Sequence, residues 1–411
     1  MTPRSSLSRT ARALSVAVIA FLVSLLSGPA HAQIAVTADT VYTMAGEPIV
    51  DGVVLMNGRT IEAVGPSAEI SVPDAYRSVE ATVVTPGLID ARSTVGLSGI
   101  YNVESDQMQL ETSSPMQPEL RAIDAYNARE ELVSWVRSLG VTTVHTGHGP
   151  GAVISGQTMI VKTNGRTIDE AVVDSTAMLA MTIGPSVSQN FESPGTRAKA
   201  VAMLRQKLIE AQQYRDGQSG DNPPSRDLGM EVLVDVLEGD VPALITAHRA
   251  RDIMTALRLQ EEFGFELVLD GAAEAYLVTE QVSAAGVPVI VHPPMIRTYG
   301  AAENAAFTTP GVLHAAGIPI AFQSGYEAYV PKTRVALFEA AVAVGNGLPR
   351  DVALRALTID AAQLLGLSDQ IGSIEKGKHA DLVLYSGDPF EYTTQVCTVI
   401  IDGRIASGEC Q

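Results

Sequence analysis

Four histidines fall where a metal ion could be bound. His145, His148, His248 and His292 each follow a run of residues that is typical of a β-strand. The carboxyl ends of parallel strands lie at one edge of a sheet, and imidazole nitrogens are good zinc ligands. One interpretation of the pattern is a relocated metal site shared by these four side chains. The alternative is that they hydrogen-bond the loop backbone or line a pocket that holds no ion.

A second group of candidates consists of charged residues at predicted strand and helix ends. His248 and Asp252 stand four positions apart, where a strand passes into a helix, and are the candidate catalytic residues. Other charged side chains could bind a substrate, since guanidinium groups take carboxylates in bidentate contacts: Arg92, Arg249, Asp270 and Glu274. The alternative is an ion-pair network, formed by these residues with Asp252, that serves only structure.

The elements that must position these residues alternate between strand and helix patterns over residues 85–365. This alternation predicts an α/β fold with a parallel sheet. Apolar residues at helical spacing predict helices over residues 118–139 and 274–285, whereas residues 293–310 lack periodicity and are predicted to form a loop over the barrel mouth. The strand ends that carry the candidate residues would then lie on one rim.

Both ends of the chain carry short β-rich runs instead. Residues 33–84 contain the turn signal Asn57-Gly58, and residues 366–411 contain Asp402-Gly403. Neither piece is large enough to close a hydrophobic core of its own. We therefore predict one small β-domain built from residues 33–84 and 366–411, packed against the region between them.

Residues 1–32 have the features of a Sec-type signal peptide: early arginines, an apolar stretch and an Ala-His-Ala cleavage site. They predict a periplasmic or secreted protein without a membrane anchor after cleavage. The formal net charge of −18 argues against nucleic acid and anionic membranes as partners. An oxidising compartment would permit a disulfide between Cys397 and Cys410, but their predicted diagonal placement is marginal, so this pairing stays open.

Several stretches resemble one enzyme family. Residues 85–96 (TPGLIDARSTVG) resemble the first barrel strand of the amidohydrolase superfamily, TPGLIDAHxHxG. Residues 356–367 and 371–389 resemble its C-terminal segment, and residues 118–125 and 140–163 resemble imidazolonepropionase-like members. The resemblance covers essentially the whole mature chain. It implies a (β/α)8 TIM-like barrel with a small β-sandwich-like domain, and hydrolysis of carbon–nitrogen bonds other than peptide bonds, assisted by zinc or another divalent metal.

The resemblance also marks where the ligands of that metal, and its catalytic aspartate, should stand. In this chain those positions are occupied by residues that do not support a metal ion: Arg92, Thr94, Thr246, Gly271 and Gly325. Only the second histidine of strand five is kept, as His248. The comparison therefore predicts a divergent member that has lost the usual metal site.

Two functions follow from this combination. The first is a hydrolase with a displaced or metal-free site around His248, Asp252 and the other rim histidines. The second is a pseudoenzyme: a non-catalytic subunit or small-molecule-binding protein that pairs with an active homologue. A homodimer is a further expectation from the family resemblance. The substrate cannot be deduced from the sequence.

Overall fold

The strands form three sheets. The computed structural model describes residues 33–101, 103–326 and 335–408, so the predicted signal peptide lies outside the described residues. The strands within these ranges are β1 Gln33–Val41, β2 Ile49–Asn57, β3 Thr60–Pro66, β4 Arg77–Pro86, β5 Leu88–Ser93, β6 Val141–Thr146, β7 Ile154–Gln157, β8 Met159–Lys162, β9 Val172–Asp174, β10 Leu179–Thr182, β11 Ala243–Ala247, β12 Leu267–Gly271, β13 Val289–Val291, β14 Ile320–Ala321, β15 Leu382–Tyr385, β16 Val396–Ile401 and β17 Arg404–Ser407.

Helices separate many of these strands. They are α1 Glu131–Ser138, α2 Ile168–Ala171, α3 Pro185–Asn190, α4 Arg197–Gly217, α5 Leu228–Glu238, α6 Ala250–Phe263, α7 Thr279–Ala284, α8 Thr309–Ala315, α9 Ala336–Gly345, α10 Arg350–Ala356 and α11 Ile359–Leu364. Several follow the sequence signals directly: the side chain of Asp227 caps the first turn of α5, and Gly239 ends that helix with a φ of 85°. Within the described residues, no helix is both long and apolar enough to cross a membrane.

The first sheet joins the two ends of the described chain. Its seven strands run in the order β17-β16-β15-β4-β1-β2-β3, so β15, from the C-terminal end, pairs antiparallel with β4, from the N-terminal end. Val84 stands opposite Leu384 in this pairing. Both side chains are fully buried in one apolar cluster with Val36, Val54 and Ile400. Strands from both ends of the described chain thus share a sheet and a core. A separate small domain built from residues 33–84 and 366–411 stays a prediction.

The region between them contains the other two sheets. One has the order β14-β13-β12-β11-β10-β7, with β10 to β14 parallel and β7 antiparallel to β10. The other has the order β5-β6-β8-β9, with β5 and β6 parallel and the remaining pairs antiparallel. The mixed α/β content agrees with the predicted fold class. The antiparallel pairs depart from eight uniformly parallel strands, so the (β/α)8 barrel stays a prediction.

The two sheets meet at the ends of β5 and β14. The amide of Ala91 donates to the carbonyl of Phe322 (3.0 Å), and that of Gly325 donates to the carbonyl of Arg92 (3.2 Å). A parallel bridge between Ser93 and Gly325 continues this contact. Strands of both sheets also contribute to one buried apolar cluster, which includes Ile89, Ile160, Leu244, Val268, Ile290 and Ala321. The carboxyl ends of β5, β6 and β11 to β14 therefore lie near one another.

Three predicted elements need correction. Residues 118–139 do not form one helix: only α1 and a 3-10 turn at Ala122–Asp124 are helical, because the preceding segment is extended beside β7, where Gln157 donates to the carbonyl of Leu120 (2.7 Å). Residues 274–285 divide into a 3-10 turn, Ala275–Leu277, and α7. The predicted loop over residues 293–310 contains a 3-10 turn, Gly300–Ala302, and the start of α8.

Candidate functional site

Arg92 lies next to the end of β5 and is fully buried. Its Nη2 donates to the backbone carbonyl of His148, but its Nε and Nη1 have no hydrogen-bond partner. Burial lowers the pKa of Arg92, and the negative charges of Asp270 and Asp90 oppose that shift. Within the described chain, no carboxylate oxygen lies within 4.0 Å of the guanidinium as a salt bridge. Within the described residues, this buried cation thus has a hydrogen-bond partner but no salt-bridge partner, and the charges of Asp270 and Asp90 act on it from a greater distance.

The nearer of the two strand-end carboxylates in sequence is Asp90, on β5. It accepts hydrogen bonds from the backbone amide of Ser324 (2.9 Å) and from the Ser324 hydroxyl. Burial raises the pKa of Asp90 to about 6, and the Ser324 hydrogen bonds and the Arg92 charge hold it from rising further. Asp90 therefore joins β5 to the segment after β14, two residues before Arg92 in the sequence.

Asp270, on β12, is the second carboxylate of this cluster. Its Oδ2 accepts from the hydroxyl of Thr246 (2.5 Å), and its Oδ1 accepts from the amide of Gln323 (2.7 Å). Burial raises the pKa of Asp270, whereas the charge of Arg92 lowers it. Three strand ends thus converge on one carboxylate, and its oxygens are directed at neutral donors and not at the guanidinium.

His248 lies at the half-buried entrance to this cluster. Its Nε2 is 2.9 Å from the hydroxyl oxygen of Tyr326, and its Nδ1 has no partner. Burial lowers the pKa of His248 to about 4, so the ring is neutral at physiological pH. The ring packs against Gly271, which has a φ of 80° and where a Cβ atom would come within 2.5 Å of the ring Cε1. A side chain at position 271 is therefore excluded both by backbone conformation and by the imidazole.

His248 and Asp252, the candidate catalytic residues, are not hydrogen-bonded to each other. Asp252 lies in the first turn of α6, and its Oδ1 accepts from Arg197 of α4 (2.7 Å). The Asp252 side chain is 1% exposed and is directed at α4, away from Tyr326, the partner of His248. The two residues are close in sequence, but the strand-to-helix turn sends their side chains to different neighbours.

The charged residues predicted to form one ion-pair network belong to separate groups in the structure. Arg249 and Glu274 form a salt bridge at 3.0 Å, and Arg249 also contacts Glu303 (2.7 Å) and the carbonyl of Gly300 (2.7 Å). Asn304 donates to Glu274 (2.7 Å). This rim network binds the segment after β13 to the start of α6. It does not include Arg92 or Asp270, which belong to the buried cluster.

The histidines considered as ligands of one metal ion do not form a common site, and three of them are hydrogen-bonded to other protein groups. His145 uses both ring nitrogens, with Nδ1 donating to the carbonyl of Ala91 (2.7 Å) and Nε2 lying 2.7 Å from the Thr158 hydroxyl. His292 contacts the carbonyl of Pro293 through Nδ1 (2.9 Å). Neither ring nitrogen of His148 has a partner. The ranges that the structure describes contain no group of three or more histidine, cysteine, aspartate or glutamate side chains placed to hold a metal ion.

The positions at which the family resemblance places metal ligands do not fit a divalent cation either. Arg92 is cationic, and the hydroxyl of Thr94 is hydrogen-bonded to Ser98 (2.9 Å). The hydroxyl of Thr246 donates to Asp270. Positions 271 and 325 are glycines with φ angles of 80° and 94°, a region that other residues rarely adopt. No step of a reaction can therefore be assigned to a metal held by these residues.

Sequence reasoning missed several members of the cluster. Gln323 and Ser324 follow β14 and supply the donors to Asp270 and Asp90, and Tyr326 faces His248. One signal was present: two polar residues directly follow a buried strand whose carboxyl end lies on the candidate rim. Their partners on β5 and β12 could not be deduced, because pairing between distant strands is not encoded in local periodicity.

Comparisons with known proteins agree with this architecture. Residues 324–406 match the model of the Amidohydrolase family. An amidohydrolase of Thermotoga maritima MSB8 has a solved structure that superposes with a TM-score of 0.85 at 31% identity, covering 92% of this chain and 100% of that protein. The chain belongs to the amidohydrolase superfamily. The membership that the sequence resemblance predicted is thereby confirmed.

Less similar proteins extend the comparison. The amidohydrolase tasK of Hapsidospora irregularis is 25% identical over 377 residues, which are 82% of this chain and 38% of that protein, so the chain spans well under half of that relative. An adenosine deaminase from Xanthomonas campestris, solved with bound zinc, superposes with a TM-score of 0.56 at 17% identity over 93% of this chain and 94% of that one. At this identity the likeness concerns the fold alone.

Proposed function

We propose that this amidohydrolase descends from hydrolases of carbon–nitrogen bonds other than peptide bonds, and that it binds a small molecule at the rim where β5, β11, β12 and β14 end, without a resident metal. The single observation that carries the proposal is the buried guanidinium of Arg92 at the first expected ligand position. The proposal includes a (β/α)8 barrel as the scaffold of the site. The carboxyl ends of the strands in such a barrel are where its enzymes hold their active sites.

The argument against a resident metal is electrostatic and chemical. A guanidinium stays protonated in proteins, and like charges about 4 Å apart repel by several kcal/mol at intermediate dielectric. The carboxylates whose charge acts on Arg92 are Asp270 and Asp90, and their oxygens are already hydrogen-bonded to Ser324, Thr246 and Gln323. A divalent ion would have to displace these donors and approach a buried cation. The side chains of the cluster support binding of a polar small molecule better than activation of water by a metal.

Elemental analysis of the purified mature protein, residues 33–411, tests this proposal. After dialysis against zinc or manganese and removal of free ion, we expect substoichiometric metal and no metal-stimulated hydrolysis of N-acyl amino acids, ureas or cyclic amides. About one equivalent of ion per chain, with hydrolysis lost on chelation, would overturn it. If the ion is bound and disappears in His248→Ala, the displaced site around His248 is the correct interpretation.

A second candidate function is that of a non-catalytic subunit paired with a ligand-complete homologue or with a second copy. It is favoured by exposed aromatic residues on the segments that follow β5 and β13: Tyr101, Tyr299 and Phe307. Apolar side chains grouped at a rim are typical of interaction surfaces. Light scattering of the protein alone and after co-expression with a homologue tests the pairing. A monomer under both conditions argues against it.

The cellular location is also part of the proposal. Cys397 is disulfide-bonded, and Cys410 lies outside the described residues. Disulfides persist in oxidising compartments, which supports a periplasmic or secreted protein. A reporter fused after residue 32 that remains cytoplasmic would contradict this location.

A further inference from the structure

The buried cluster contains polar groups that the protein itself does not satisfy. Arg92 is 0% exposed and His148 is 5% exposed, yet Nε and Nη1 of the first and both ring nitrogens of the second have no partner. Buried donors are nearly always hydrogen-bonded in native proteins, and an unpaired one costs about 1–3 kcal/mol, more when it is charged. Such a concentration of unpaired donors points to an acceptor that is supplied from outside the chain.

These two residues are direct neighbours. Nη2 of Arg92 donates to the backbone carbonyl of His148, which fixes the guanidinium beside the loop that carries the imidazole. The positive charge of Arg92 contributes to lowering the pKa of His148, so the ring is neutral and keeps one N–H donor and one acceptor. Arg92, on β5, and His148, in the loop that follows the adjacent strand β6, thus both carry unpaired polar nitrogens in one contacting pair of residues.

The carboxylates of the cluster cannot be the missing acceptor in this arrangement. Asp270 is held by Thr246 and Gln323, and Asp90 is held by Ser324. Neither lies within salt-bridge distance of Arg92 in the described chain. Their charges stabilise the guanidinium at a distance and leave its N–H groups directed elsewhere. An oxygen acceptor with its own negative charge would satisfy these N–H groups in the geometry that guanidinium groups favour.

We propose that Arg92 is the receptor for a small carboxylate ligand, held by the unpartnered N–H groups of its guanidinium and by a ring N–H of His148. This inference names the ligand class of the site in the proposed function and rests on that function. Arg92 is fully buried and His148 is 5% exposed, so the ligand in this proposal is a small one. The chemistry needed is an acid of a few carbon atoms; an uncharged amide of the same shape is the matched non-ligand.

The test is a thermal-shift and calorimetric titration of the mature protein with acetate, propionate and pyruvate, and with acetamide and propionamide as uncharged controls. We expect at least one carboxylate to raise the melting temperature saturably and the amides to have no effect. Arg92→Met should weaken carboxylate binding about tenfold or more, since a charge-assisted bidentate contact is lost. Arg249→Met is the control, because Arg249 belongs to the rim network and should bind like the wild type.

Two further variants make the outcome decisive. Arg92→Lys keeps the positive charge but loses the planar guanidinium that makes bidentate contacts. It should therefore fold and still bind carboxylates weakly. This variant tests the proposal if Arg92→Met fails to fold. His148→Gln should weaken carboxylate binding less than Arg92→Met or Arg92→Lys does. No response of the wild type to any carboxylate, or an equal response in Arg92→Met, overturns the inference. Metal content of the same preparation separates the two proposals: bound metal overturns the proposed function, whereas a metal-free protein that ignores carboxylates overturns only the ligand.

Discussion

At the scale of single residues, the site differs from the family pattern in the backbone as well as in the side chains. Exchanging histidine for arginine at position 92 alters only a side chain. Gly271 and Gly325 adopt φ angles of 80° and 94°, and the ring of His248 occupies the space beside Gly271. Two of the five expected positions therefore cannot regain a ligand by substitution alone without strain.

This leads to a prediction about restoring the first-strand histidines. The double variant Arg92→His/Thr94→His recreates the HxH pattern of the family, yet we expect it to bind zinc only weakly and substoichiometrically. Two imidazoles give fewer ligands than a closed or catalytic zinc site requires, and positions 271 and 325 supply none. Elemental analysis after zinc dialysis measures this, with the wild type as control. Stoichiometric, tightly held zinc in the double variant would show that the cluster can rearrange into an ion cage.

The buried histidines predict how stability depends on pH. Burial lowers the pKa of His148 from 6.5 to about 4, so the unfolded chain binds a proton more readily than the folded one between these values. The contribution of neutral His148 to the free energy of unfolding is fully present above about pH 6.5 and is lost as the pH falls toward 4. Between about pH 7.5 and about pH 5 this amounts to about 2 kcal/mol. Urea unfolding of the wild type and of His148→Gln at both pH values measures the difference.

The control for this prediction is internal. His145 and His248 also have lowered pKa values and are present in both proteins, so their contributions cancel in the comparison. Asp90, whose pKa is raised to about 6, has the opposite effect on stability. Its protonation stabilises the folded state more as the pH falls below about 6. The same loss of stability on acidification in His148→Gln and in the wild type would contradict the assignment to His148.

At the scale of secondary-structure elements, the sequence predicted best where one face of an element decides its structure. The strand β5 and the turn Asp402-Gly403 follow from buried runs and a hairpin signal, and Arg92 was found because it stands in a recognisable strand. The predicted helix over residues 118–139 was wrong in its first half. There the extended backbone pairs with β7, which overrides the helical spacing of apolar residues. Gln323 and Ser324 were missed for the same kind of reason, since their partners lie on strands that are distant in sequence.

One ion pair between elements was not predicted and should matter for stability. Lys162, at the end of β8, forms a salt bridge with Asp381, just before β15, and the two side chains are 4% and 5% exposed. Asp381 also accepts a hydrogen bond from the amide of Asp402 (2.9 Å). The pair fastens the terminal sheet to the central region. We expect Lys162→Met to lower the free energy of unfolding by about 3–5 kcal/mol, because it leaves a buried carboxylate unpaired.

Urea unfolding tests this expectation, and the chain offers a matched control. Arg205 and Glu262 form a salt bridge at 2.7 Å, but their side chains are 39% and 41% exposed. Arg205→Met should therefore cost less than about 1 kcal/mol. The double variant Lys162→Met/Asp381→Asn should recover part of the loss, because the buried charge is removed from both partners. Equal effects of Lys162→Met and Arg205→Met would argue against the fastening role.

At the scale of the whole molecule, the two ends of the described chain are joined in one sheet around a central region that carries the site. β4 leads directly into β5, so the strand that pairs with β15 is continuous with the strand that ends near Arg92. The amide of Gly87, between β4 and β5, donates to the carbonyl of Asp381 (2.8 Å). This backbone hydrogen bond is a second connection between the C-terminal strands and the start of β5. Damage to the terminal sheet should for this reason reach the position of the site.

The last prediction concerns coupling across this sheet. Val84 and Leu384 stand directly opposite each other on β4 and β15 and are both fully buried. Leu384→Ala should lower the free energy of unfolding by about 2–5 kcal/mol through lost burial and a cavity. The double variant Val84→Ala/Leu384→Ala should deviate from additivity by about 0.5–3 kcal/mol, since the two side chains share one space.

A control pair uses a residue from a different apolar cluster. Leu313, on α8, is fully buried in the large cluster of the central region, whereas Leu384 belongs to the terminal-sheet cluster. Leu313→Ala/Leu384→Ala should be additive within about 0.5 kcal/mol, because the two cavities share no neighbours. Urea unfolding of the single and double variants measures both cycles. If Val84 and Leu384 proved additive as well, the two chain ends would not share one core, and the link from the terminal sheet to Arg92 would lose its physical basis.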